Sequence, residues 1–207
     1  MPCDLTAVKD VIVAAVSVFG VFIAWRGLST WQRQIGGEST FTLARNLLIG
    51  LFKYREAMKN VRHPVMWPEE MALTEEERVG KSSDQISFLG SIKGYNSRWK
   101  VLREVRANMY ADLIESEALW GKDLGKLFLP LFELENELEL DTTYFLKSLN
   151  PDLSQQTKES LEKTRATRRN SIVSPWPADD VKDSFNFEFT TKMAPIEQYL
   201  RSKLPTL

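Results

Sequence analysis

Hydrophobic and polar positions divide this chain into one uninterrupted apolar run followed by a series of helical stripes. The run is Val11 to Trp25, VIVAAVSVFGVFIAW, fifteen residues without a charge. Ser17 and Gly20 are its only interruptions, Lys9 and Asp10 precede it, and Arg26 follows. A helix with no polar stripe has to be covered on every side, by lipid or by folded protein, and length alone does not choose between the two. With Leu5, Ala7 and Val8 included, the stretch reaches about 21 residues, or roughly 31 Å at 1.5 Å per residue, enough to cross a bilayer. Trp25 and Trp31 suit an interfacial aromatic belt. The expectation is a membrane span from Val11 to Trp25. Arg26 and Arg33 outweigh Lys9, which puts the N-terminus outside and the main domain in the cytoplasm. A cleaved signal is disfavoured, because Asp4 and Asp10 spoil the basic start and no small-x-small site follows.

The stripes after the run are helical. Leu28, Trp31 and Ile35 continue the first helix as a stalk, and Gly36 and Gly37 are expected to end it. Ser39 or Thr40 can cap a second helix with Phe41, Ala44, Leu47, Leu48, Leu51, Phe52, Tyr54, Met58 and Val61 on its stripe, running to about Arg62. Pro64 blocks continuation. Residues 64–94 read as an irregular connection with acids at Glu69, Glu70, Glu75, Glu76 and Glu77, a capped turn at Thr74 and Glu77, and a helix over 83–93. Trp99, Leu102, Val105, Met109 and Leu113 mark a long helix over 96–120. A further helix runs from Asp123 towards Leu149, kinked or split at Pro130, and Asn150 and Pro151 stop it. A mostly polar helix follows, to about Arg169. Residues 170–195 read as a loosely packed arm whose Trp176, Phe185, Phe187 and Phe189 need a surface, and Pro195 opens a short final helix. The fold class expected is all-α: an N-terminal single transmembrane helix (1–37 with its stalk), a cytoplasmic helical bundle (38–170) and an irregular C-terminal arm (171–207).

Charge and composition narrow the chemistry. The formal net charge is −1 over 207 residues, so no global field draws nucleic acid, and none is expected as a partner. Cys3 is the single cysteine, which excludes an intrachain disulfide and a thiolate metal cluster. Glu104, Asp112, Glu115, Glu117, Glu133, Glu135 and Glu137 read as solvated helix faces, since a di-iron bundle needs Glu-x-x-His pairs and His63 has no acid three residues before it. No metal and no cofactor are expected. Lys158, Lys163, Arg165, Arg168 and Arg169 are offset by Glu159 and Glu162 and lack interleaved aromatics for nucleic acid. Arg45, Arg55 and Arg62 read as ion-pair partners for Glu104 or Glu117. His63, Arg55 and Arg62 are the only catalytic candidates. Helical nucleases of the HEPN class place a histidine four to six residues after an arginine, whereas seven residues separate Arg55 from His63, so that activity is not carried over. Walker, GxGxxG, HExxH and GxSxG motifs are absent.

The blocks WRGLSTWQRQIGG and TFTLARNLLIGLFKYREAMKNVRHP, with the later LWG and LFELENEL, resemble a group of uncharacterised bacterial proteins that have one N-terminal membrane helix and a cytoplasmic helical domain. The resemblance covers about residues 10–150. It implies an inner-membrane location and no reaction. The function expected is a membrane-anchored module for protein interaction or self-assembly, with the lipid bilayer and a protein partner or further copies as its partners. Trp31, Trp176, Phe185, Phe187 and Phe189 are its interface candidates. The alternatives are an oligomeric pore-forming effector and a divergent helical nuclease; the balance falls against an enzyme.

Overall fold

The structure, a computed structural model, describes the backbone of residues 5–174 and 183–204, and their side chains except those of 5–15, 18, 28–30 and 32–36. Among the described residues there are seven helices and no strand: α1 (Leu5–Val61), α2 (Pro68–Met71), α3 (Glu75–Arg78), α4 (Ser83–Trp120), α5 (Asp123–Ser148), α6 (Gln155–Ala166) and α7 (Ser184–Ser202). The chain divides into two compact units, Met1–Thr42 and Leu43–Leu207.

The all-α class holds, but the transmembrane helix does not. No helix among the described residues is long and apolar enough to cross a membrane. The charge-free run is short, since fifteen residues at 1.5 Å each rise about 22 Å against a hydrocarbon core of about 30 Å. Val11 to Ala15 and Val18 lie outside the residues whose side chains are described. The single-pass topology, the inner-membrane location, the bilayer as partner, the pore and the likeness to single-span bacterial proteins all rest on that span and are corrected with it.

Gly36 and Gly37 do not end the first helix, which is continuous to Val61. Each glycine costs a helix interior about 0.5–1 kcal/mol, while ending the helix there would orphan several backbone groups. Continuation therefore stands without a cap at Ser39 or Thr40. Past Leu43 the periodicity governs burial. Leu43, Leu47, Leu51, Tyr54, Met58 and Val61, at spacings of three and four, are all buried, the geometry of one helix face.

The connection after Pro64 carries two single-turn helices. α3 has the expected capping box: Thr74 Oγ1 accepts from the Glu77 N–H at 3.3 Å, and Glu77 Oε2 accepts from the Thr74 N–H at 2.7 Å. α4 then starts from a second box, Ser82 with Gln85, and runs unbroken through the two helices expected at 83–93 and 96–120. Gly90 and Gly94 lie within it because the connection presses on them. A Cβ on Gly90 would stand 3.1 Å from the Met71 carbonyl oxygen, and one on Gly94 only 2.5 Å from Met66 Sδ.

α5 is one continuous helix with Pro130 inside it. It packs against α4, α6 and α7, and Leu124, Phe128, Leu131, Leu134 and Leu138 form its core face. The C-terminal arm is not irregular over 184–202. Asp183 caps α7 by accepting from the Asn186 N–H at 2.9 Å. Phe185, Phe189, Met193, Ile196 and Leu200 then fall on one buried stripe. Packing against α5 removes about 25 cal/mol of unfavourable hydration per Å² of apolar surface, which outweighs the lost hydrogen bond at Pro195.

Candidate interaction surfaces

In the first unit α1 exposes what most helices hide. Val16 is 66% accessible, Phe19 64%, Val21 70%, Ile23 56% and Trp25 68%. At about 100° per residue, the large apolar side chains from Val16 to Trp25 occupy some 220° of the helix circumference. Ser17, Gly20, Ala24 and Gly27 fill the rest. With aromatic side chains worth roughly 150–250 Å² each, Phe19, Phe22 and Trp25 alone leave about 350 Å² open. One contiguous patch of that size is already at the scale that marks an interaction site on a monomer. The interface candidate Trp31 is also exposed, at 59%.

The second unit carries a few of its charges inside. Glu135 is buried among the leucines of α5, where the Tyr54 hydroxyl donates to its Oε2 at 2.6 Å and Arg106 Nη1 to its Oε1 at 2.9 Å. Burial, and then the neighbouring Glu135 carboxylate, hold the Tyr54 phenol well above its ordinary pKa. The Arg106 guanidinium also sits over the Phe132 ring, its Cζ 4.5 Å from the centroid. Glu135 is thus not on a solvated face as expected; its register three and four residues after Phe132 and Leu131, on the buried stripe, is the sequence signal for its burial. Asp141 is likewise buried, receiving the Arg168 Nε–H and the Ser171 hydroxyl. Arg98 donates to both oxygens of Glu70, at 2.8 Å each, and to the carbonyls of His63 and Val65. Its hydrogen bonds hold the Glu70 carboxyl below its ordinary pKa against the opposing effect of burial.

The catalytic candidates do not converge. Arg62 is buried and committed: Nε donates to the Ser171 carbonyl at 2.5 Å, and Nη2 to Asp183 Oδ1 at 2.8 Å. Arg55 pairs with its neighbour Glu56 at 2.8 Å on an exposed face. His63 turns its Nδ1 to the Val65 carbonyl, 2.9 Å away, within the turn after α1. The expected pairing of these arginines with Glu104 or Glu117 is not what forms; Glu104 lies 4.0 Å from Lys100, and Glu117 3.6 Å from Lys122. Of the aromatic interface candidates, Phe185 and Phe189 are buried under α5, Phe187 is 65% exposed, and Trp176 lies outside the described residues. Among the described residues no group of histidine, cysteine and acidic side chains could hold a metal ion.

Among the described residues, two cavities on the second unit bear on function. One, of about 440 Å³, is lined by Arg165, Arg168, Arg169 and Asp141. Its arginines are engaged: Arg168 by Asp141, Arg169 by Glu137 and Glu188, and Arg165 over the Phe145 ring at 5.0 Å. That makes it a clamp joining α5, α7 and the segment after α6. The other, of about 540 Å³, lies between α4 and α5. Leu113 and Phe132 form its buried floor, and Tyr110, Ile114 and Leu129, each at least half exposed, stand around it. No protein family, no curated protein and no solved structure matches the chain.

Proposed function

We propose that this chain is a self-assembling helical interaction module and that the apolar stretch of α1 from Val16 to Trp25 is its assembly element. The observation that carries this reading is the open, charge-free apolar surface on that stretch. In water such surface is covered by association. Because apolar side chains point in most directions around the helix, one partner groove covers too little of it. Several neighbours are needed, and further copies of the chain supply them in fixed proportion. A binding role rather than a catalytic one fits the engaged state of Arg62 and Arg55, and the packed second unit, whose buried charges among the described residues are paired, serves as the rigid body that the assembly brings together.

Sedimentation of the full chain in aqueous buffer tests the reading. The wild type is expected at a multiple of the monomer mass. The double variant Ile23→Glu/Trp25→Glu, which places a charge on two sides of α1, is expected at the monomer mass with unchanged helix content. A wild type that stays monomeric at its highest soluble concentration refutes the proposal.

A further inference from the structure

The cavity between α4 and α5 is a groove with an apolar floor that opens at the surface. We infer that it receives the apolar stretch 16–25 of α1 from a second copy of this chain, an inference that rests on the self-assembly reading and names the surface where assembly occurs. The dimensions agree. From Arg106 to Glu117 the wall formed by α4 spans twelve residues, a rise of about 16.5 Å at 1.5 Å per residue. The exposed stretch from Val16 to Trp25 rises about 14 Å by the same measure.

The cavity wall holds a glycine that its own fold does not require. Gly125 lies within α5 with a negative φ, and a Cβ there would meet nothing within 4 Å. A side chain would favour the helix, so the bare backbone leaves room for something to approach. The incoming helix has matching relief. Phe19 and Ile23 project on the same side as Gly20 and Gly27, which also have nothing within 4 Å of an added Cβ. Two knobs flanked by gaps suit a groove whose floor is Leu113 and Phe132 and whose rim is Ile114 and Leu129, the helix-in-groove mode of recognition.

Charge selects the same occupant. Arg106 is held by Glu135 and Lys122 by Glu117, so the groove offers no unpaired cation to attract an acidic helix. An uncharged stretch fits it, and 16–25 carries no charge. The inference sets Ile23 against Leu129, at the middle of the α5 wall that runs from Lys122 to Asn136. The opposite side of the helix, Val21, Phe22 and Trp25, is left for contacts between copies.

Site-directed crosslinking tests the placement. In a Cys3→Ser background, full-length chains carrying Ile23→Cys are mixed with differently tagged chains carrying Leu129→Cys and oxidised gently. A mixed disulfide is expected at least tenfold above a control in which the second cysteine is Val79→Cys, a position 76% exposed and away from the groove. A yield equal to the control overturns the inference. As a second measurement, Ile114→Glu/Leu129→Glu is expected to weaken self-association at least tenfold with unchanged circular dichroism. Wild-type assembly in that variant, alongside dissociation of Ile23→Glu/Trp25→Glu, sinks the groove and leaves self-assembly standing. A monomeric wild type sinks both. If the groove variant misfolds, the crosslink yield alone upholds or overturns the inference.

Discussion

Replacing Arg62 by methionine removes the central member of a buried interlock while keeping much of the side chain's volume. Arg62 and Asp183 are 3% and 4% exposed. The guanidinium spans from the carboxylate of Asp183 to the carbonyl of Ser171, and it covers the Phe185 ring at 4.5 Å from the centroid. Its own backbone carbonyl accepts from the Ser174 N–H at 3.0 Å. Without the arginine, Asp183 keeps hydrogen bonds from the Asn186 N–H at 2.9 Å and the Ser174 hydroxyl at 3.2 Å, but its charge is left buried and uncompensated. Breaking one side of a buried ion pair costs roughly 3–5 kcal/mol. An orphaned carbonyl costs about 1–3 kcal/mol more if water cannot reach it. We expect Arg62→Met to lose about 4 kcal/mol, a fall of about 2 M in the urea midpoint at a slope near 2 kcal/mol per M. Asp183→Asn retains a capping oxygen for α7 and strands the opposite charge, so it is expected to cost about 3 kcal/mol. The double variant buries no unpaired charge and is expected to recover about half of the summed loss, a coupling of about 3.5 kcal/mol. The measurement is urea unfolding of all four proteins at pH 7, followed by circular dichroism. A loss under about 1 kcal/mol in Arg62→Met, or additive losses in the double variant, refutes the view that this pair ties α7 to the end of α1.

Other substitutions and conditions give separate checks. Gly125→Ala is expected to stabilise the chain by about 0.5–1 kcal/mol, since the helix gains a better former and nothing is displaced, whereas Gly90→Ala presses on the Met71 carbonyl and lowers stability; equal effects in thermal melts contradict the packing described. Leu131→Ala empties a fully buried site on α5 and is expected to cost about 2–5 kcal/mol in urea unfolding. Acid tests the ion pairs. Burial pushes the Asp183 carboxyl up, but the hydrogen bonds from Arg62 and the Asn186 N–H outweigh it, so its pKa, like that of Glu70, lies below the ordinary value. A depressed folded pKa gives stability that is complete above the unfolded value, near 4, and is lost as pH falls through the folded one. The urea midpoint is thus expected to hold from pH 7 to about 5 and to drop below about 4; a rise on acidification contradicts the assignment. The raised Tyr54 phenol acts in the other direction: its contribution is complete below about pH 10 and is lost as the pH climbs beyond it, read from the same titration.

Apolar spacing, caps and breakers are local properties, and they are legible in the chain alone. The stripe from Leu47 to Val61, the stop at Pro64, the Thr74–Glu77 box, and the end of α5 just before Asn150 and Pro151 each depend on residues within a few positions of one another. The open apolar stretch at Val16–Trp25 is equally visible as a run that needs covering. Lipid is the wrong inference for what covers it, because a period shows that a face is apolar without showing what meets it. The fate of the C-terminal arm is also hidden. Pro175, Pro177 and Pro195 suggest a loose segment while the aromatics of FNFEF ask only for a surface, and packing against α5 is what reveals Phe185, Phe189 and Met193 as one face of a helix that continues through Pro195.

By itself, the sequence determined that this protein is helical, where most of its helices turn, and which stripes enter the core, since hydrogen bonding and burial along a helix are decided within one or two turns. The tertiary structure decided which charges go inside. Arg62 meets Asp183 across 121 positions and Tyr54 meets Glu135 across 81, and no local pattern encodes such pairs, because a carboxylate on a helix looks the same in sequence whether water or a distant guanidinium neutralises it.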